Sequence, residues 1–275
     1  MNVLETPPGP IDSEQFDVIV CDRPAGGVLR ITMNQPEKLN AADHRTHVEL
    51  IRALRAIDDD ASVSAVVLTG AGRAFSAGGD LDMLQRNTVD WEAYSAQWKV
   101  ARDLIGGIVN CSKPIVSAIN GAAVGAGLSI ALLADIPIAA RSARLLDGHV
   151  RLGLAAGGHA TLAWPLLSGM ARAKHLLLVD EFISGEDAES LGLVSMVVDD
   201  DALERVSLDV AGRLAALSPS AVQWTKLAIN GWLRAAGPIF DTSLALELMT
   251  MRGPDFAKGL QSLLARRKPE LRKAN

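Results

Sequence analysis

Thiols are nearly absent: Cys21 and Cys111 are the two cysteines among 275 residues, and no pairing pattern joins them. That excludes a disulfide framework and points to a reducing compartment. Aromatic residues make up only 4%, with a single tyrosine. Bases are outnumbered, 27 Lys+Arg against 32 Asp+Glu, and the net charge of −5 gives no reason to expect nucleic acid. No apolar run approaches the roughly 20 residues of a membrane span, so no membrane partner is expected. The opening Met-Asn-Val-Leu-Glu-Thr-Pro-Pro-Gly-Pro has neither a basic nor an apolar region and does not read as a signal peptide. It reads as a flexible lead-in over 1–14, and a cytoplasmic protein is the expectation. What the chain does have is apolar content, 49%, enough for a substantial core.

The first half alternates strands and helices. Stretches 17–21 and 28–33 read as strands joined by a turn at Pro24. Residues 42–58 place Val48, Ile51, Leu54 and Ile57 at helical spacing. Strand 65–69, a helix near 91–109, strand 115–119, helix 127–133 and strand 137–140 follow. Strands separated by helices predict parallel pairing in an α/β core over 15–201. The remainder is mostly helical, with stretches 171–179, 185–191, 202–217, 220–233, 238–251 and 256–266, and one late strand at 194–198. From 202 to 275 the helices are expected to form a lid or an assembly surface.

Two glycine-rich turns follow buried strands. One is Phe75-Ser76-Ala77-Gly78-Gly79-Asp80; the other runs from Asn120-Gly121 through Gly125-Ala126-Gly127 into a helix. Backbone N–H groups at such a helix start lack intrahelical acceptors, and small residues let a ligand oxygen reach them. The pair therefore suggests two halves of an oxyanion hole. A dinucleotide fingerprint fails, because Ile130 and Phe75 stand where a small residue is needed. A P-loop fails for want of a Lys-Ser/Thr pair.

These turns, with Met33-Asn34-Gln35-Pro36 through Asn40-Ala41, Lys113-Pro114, Ser184 through Val194 and Arg266-Arg267-Lys268-Pro269, resemble the crotonase (enoyl-CoA hydratase/isomerase) superfamily. The likeness spans roughly residues 16–269. It implies a spiral of ββα units, a trimer or a dimer of trimers, and an acyl-CoA substrate with no cofactor beyond CoA and no metal. It also implies an enolate stabilised by backbone donors at Ala77 and Ala126. Substrate or CoA contacts fall by position on Lys38, Ala41, Gly78, Gly79, Asp80, Leu81, Gly125, Arg266, Arg267 and Lys268.

The resemblance breaks at the acid and base. The two glutamates of a hydratase would align with Ser129 and His149, so hydration loses its usual groups. Ser129, one turn beyond Ala126, would hydrogen-bond substrate or water, or simply make room. His149 titrates near neutrality and suits proton transfer. A β-diketone hydrolase branch of the superfamily has a histidine at this point and an aspartate nine residues on. Here that position is Gly158, followed by His159, which could replace it or cap the next helix. The alternatives are thus a C–C bond hydrolase using His149, or a non-catalytic acyl-CoA-binding protein. His44 and His47 have a metal-compatible spacing but are expected on a solvated helix face, and His175 at the surface or an interface. The basic tail around 258–273 reads either as an exposed helix end or as a contact for CoA phosphates.

Overall fold

The computed structural model describes residues 10–267, with the backbone alone of Arg266 and Arg267. The chain winds through repeated units of two strands and a helical segment. β1 (Ile19–Ala25), β2 (Val28–Met33) and α1 (His44–Asp59) form the first unit. β3 (Ala65–Gly70), β4 (Ala74–Ser76), α2 (Leu81–Val89) and α3 (Trp91–Asn110) form the second. β5 (Ile115–Ile119), β6 (Ala122–Val124) and α4 (Ala126–Leu132) form the third. The fourth is β7 (Ile136–Ala140), β8 (Arg144–Leu146), α5 (Gly158–Ser168) and α6 (Met170–Val179). From the second unit on, the first strand of each joins one sheet, in the order β1-β2-β3-β5-β7, and the second strand another, in the order β4-β6-β8. β9 (Ile183–Ser184), α7 (Gly185–Ser190) and β10 (Met196–Val198) close the two sheets.

The central strands β3, β5 and β7 pair in parallel. They are buried nearly end to end, which is why they read as continuous apolar runs rather than alternating ones. The three-residue strands of the smaller sheet have no such signature and went unforeseen, as did α2. Carboxylates and amides fix the connections. Glu49 of α1 accepts from the backbone N–H groups of Asp17, Val18 and Ile19 at the head of β1. Asn40 donates to the carbonyls of Ala71 and Ala74, at 2.9 and 2.8 Å. Asn120 donates to those of Gly70 and Gly72, at 2.8 and 2.9 Å. Two motif asparagines thus stitch the β3–β4 connection from both sides.

Two boundaries need correction. Ile11 is in the core and its N–H bonds to Asp60 at 3.2 Å, so the packed structure begins within the expected lead-in. Nor is the region after 202 all lid. α8 (Leu203–Ala215) lies across β2, β3, β5 and β7 as a covering layer of the larger sheet. α9 (Pro219–Ile229) is pinned by Lys226, whose ammonium meets Asp135 at 2.7 Å and the Lys113 carbonyl at 2.8 Å. After α10 (Gly231–Ala235), α11 (Gly237–Met251) packs on α5 and α3, and α12 (Pro254–Arg267) on α2.

Candidate active site

Because β4, β6 and β8 are parallel neighbours, the turns leaving their C-terminal ends stand side by side. These are residues 77–80, 125–126 and 147–149. They open onto one cavity of about 400 Å³, within the range of small-ligand sites, whose far walls come from α2, α3, α5 and α11.

At the second turn, the Ala126 N–H occupies the first position of α4 and has no intrahelical acceptor. Gly125 precedes it at φ +48°, a conformation in which a side chain would be strained. At the other turn the donor is not the expected one. The Ala77 N–H donates to the Leu39 carbonyl at 2.9 Å and is therefore taken. Two residues on, Ala42 donates to the Gly78 carbonyl at 2.7 Å and accepts from the Asp80 N–H at 3.1 Å. That is the bonding of a parallel bridge between Ala42 and Gly79, and it turns the N–H of Gly79 itself to the opposite side. Gly79 lines the cavity, and its N–H has no partner among the described residues. Spacing alone could not separate Ala77 from Gly79, since bond direction decides between them.

Ser129 is buried at the cavity wall with its hydroxyl donating to the Gly125 carbonyl at 2.8 Å. Its proton is spent on its own helix. Asp80 is a helix cap rather than a ligand contact: its carboxylate accepts from the Met83 N–H at 2.9 Å. Gly78, Leu81 and Gly125 line the cavity; Lys38 and Ala41 do not, and Lys38 is exposed. The side chains of Arg266 and Arg267, and all of Lys268, lie outside the described residues.

His149 sits beside the oxyanion turn, its Cε1 3.7 Å from where a Cβ on Gly125 would be. Each ring nitrogen faces a carboxylate: Nδ1 is 3.0 Å from Asp147 and Nε2 3.6 Å from Glu247 of α11. Burial alone would strip the imidazole of its proton. The charges of Asp147 and Glu247, with hydrogen bonds to both, overcome this and lift its pKa well above the ordinary 6.5. Burial likewise opposes the charge on Asp147, yet His149 and His159 hold that carboxyl well below the usual range. His159, the second residue of α5, places Nε2 3.7 Å from the other Asp147 oxygen, and the two imidazole rings lie 5.5 Å apart. It joins the cluster rather than capping the helix. Gly157 permits this, since a Cβ there would come within 2.3 Å of the His159 ring and 2.9 Å of the His149 ring. Asp180, at the end of α6, holds the turn from behind by accepting from the Gly148 and Arg151 N–H groups.

Glu247 was not foreseen; it stands in no motif, and only the docking of α11 on α5 brings it to His149. Asp147, His149 and His159 also present ligand atoms within 4.8 Å of one another, a spacing that a small divalent cation can bridge. The expectation for His47 is overturned. His44 is exposed, but His47 is buried against the cavity and burial drives its pKa down to about 4. It is therefore a neutral imidazole at neutral pH. His175 is exposed, as expected.

Comparison with known proteins agrees with this architecture. Residues 23–274 match the family described as enoyl-CoA hydratase/isomerase. The 1,2-epoxyphenylacetyl-CoA isomerase of Escherichia coli is 36% identical over 253 residues, 89% of this chain and 94% of its own length. A short-chain-enoyl-CoA hydratase of Clostridium acetobutylicum is 34% identical over 224 residues, covering 81% of this chain and 84% of that one. The crystal structure of an enoyl-CoA hydratase/isomerase from Mycobacterium paratuberculosis superposes with a TM-score of 0.84 at 35% identity. It covers 89% of this chain and 98% of that one.

Proposed function

Since this chain belongs to the enoyl-CoA hydratase/isomerase family, we propose that it moves a proton beside the thioester carbonyl of a bound acyl-CoA, as an isomerase does, rather than hydrating a double bond. The thioester oxygen accepts from the Gly79 and Ala126 N–H groups, which stabilise the enolate as charge develops. A preorganised donor of this kind is worth about 3 kcal/mol in the transition state. His149 takes the proton and returns it at another carbon. The observation that carries this reading is the His149 ring beside Gly125 with a carboxylate at each nitrogen. Hydration needs one group to activate water and another to protonate Cα, whereas one imidazole suffices for a proton shift. Ser129 supplies no titrating group near pH 7, and its hydroxyl is engaged. Both hydratase glutamates are, on this reading, replaced.

Conversion of 3-hexenoyl-CoA to its 2-isomer, and deuterium uptake at Cα, are the expected activities. His149→Ala should lower both by roughly 10²–10⁴-fold. The base form of His149 grows as pH rises, so turnover should rise with pH through a midpoint above 6.5. Glu247→Gln removes one of the charges holding the proton and should move that midpoint toward acid. Rapid crotonyl-CoA hydration that survives His149→Ala would overturn the assignment. A second reading, hydrolysis of a C–C bond in a diketone, draws on Glu247 as the carboxylate that position 158 lacks. Calorimetry separates the two, because such a hydrolase would not bind CoA esters.

The assembly proposed is a trimer or a dimer of trimers in the cytoplasm. Large apolar side chains left exposed on α9, α10 and α11 support the association. No helix among the described residues is long and apolar enough to cross a membrane.

A further inference from the structure

The wall of the cavity built by α2 and α3 is apolar, with Met83, Leu84, Val100, Ala101, Leu104 and Ile105 along it. Asn87 interrupts it. Met83, Leu84 and Asn87 stand three and four residues apart, so one face of α2 carries all three toward the cavity. Asn87 is fully buried, at 0% exposure, and neither its amide oxygen nor its amide nitrogen has a hydrogen-bond partner among the described residues. Gln97, the neighbouring amide on α3, is turned instead to the Met83 sulfur at 3.8 Å. A buried amide left unpaired costs about 1–3 kcal/mol, so its place in an acyl-binding wall calls for a partner.

A second cavity-lining group is in the same state: His47 of α1, buried, with Nδ1 unpartnered. Neither residue is used by the chemistry proposed for His149. Resting on the acyl-CoA reading, we propose that the acyl group this cavity selects carries a neutral oxygen function, a hydroxyl or a keto group, that hydrogen-bonds to Asn87. A hydroxyl can both donate to the amide oxygen and accept from the amide N–H; a keto group accepts. At about 1.5 Å of rise per residue, Asn87 lies about 9 Å along α2 from Leu81, beside the oxyanion turn. The oxygen therefore belongs toward the far end of a medium-length acyl chain, away from the thioester. His47, neutral at neutral pH, offers a second hydrogen-bonding place for an acyl group bearing more than one such oxygen.

Calorimetric titration of the whole protein with hexanoyl-CoA and ω-hydroxyhexanoyl-CoA tests this directly, and neither ester needs to react. The hydroxylated ester should bind about tenfold more tightly, the discrimination one net hydrogen bond supplies. Asn87→Leu should remove or reverse that preference while leaving the melting temperature the same or higher. Should the leucine variant misfold, Asn87→Thr provides the second measurement: the preference should shrink but persist. Equal affinity of the wild type for both esters would overturn the proposal while leaving the acyl-CoA reading intact, since the amide would then be satisfied by trapped water. Binding of neither ester would overturn both.

Discussion

Gly157 has ordinary backbone angles, φ −59° and ψ 147°, so an alanine there would meet no backbone strain, and its closest contacts would be the two rings it faces. Gly157→Ala is therefore a probe of ring placement. It should fold within about 1 kcal/mol of the parent yet lose on the order of 10²-fold in turnover, the usual consequence of moving a catalytic group by about 1 Å. Stopped-flow turnover beside a thermal melt measures the two effects separately; unchanged turnover would show that His149 and His159 need not keep this arrangement. At this scale the sequence was partly legible. Ser129 could be placed by its distance from the second glycine turn, and His149 from its own segment, Asp147 to Gly153. Gly79 could not be told from Ala77, since the direction of a backbone N–H depends on which strand it pairs with. His47 looked solvated because a buried neutral imidazole and an exposed charged one are written with the same letter.

Among the elements, α9 is held by polar pins where most helices of the fold are held by apolar packing. Lys226 reaches Asp135 inside the protein, and Asn230 donates to the Val109 carbonyl at 2.9 Å. Removing one member of a buried pair leaves its partner's charge uncompensated. Lys226→Met should cost about 3–5 kcal/mol, read as a lowered denaturation midpoint. Adding Asp135→Asn should recover part of the loss, because an amide oxygen still accepts from the Ile115 N–H that Asp135 now serves at 2.7 Å. A loss below 1 kcal/mol in the single variant would mean that the pin does not hold the helix. The long buried strands and the amphipathic α1 were legible from periodicity. The strands β4, β6 and β8 were not, since three residues cannot display a period. They are nonetheless the strands whose ends make the site, and it was the glycine spacing beyond them that betrayed it.

Across the whole molecule, the apolar surface is concentrated late in the chain. Trp224 and Trp232 are 70% and 74% exposed, with Leu227, Ile229 and Met249 on the same run of helices. Tryptophan buries a large area on association and is rarely left in water without reason. Light scattering should find a trimer or hexamer, and Trp232→Glu should shift it to smaller species while the single-chain fold persists. A monomeric parent would remove the assembly proposal. The same helices carry Glu247 to an imidazole that precedes it by about a hundred positions. Translation thus delivers both glycine turns and His149 well before a carboxylate that raises the basicity of the ring. A nascent chain stalled short of α11 would contain most of the candidate-site residues, Asp147 among them, but an imidazole with one carboxylate partner in place of two. When α11 comes to rest on α5 the ring meets its second carboxylate, so that completing synthesis and completing this cluster are one event.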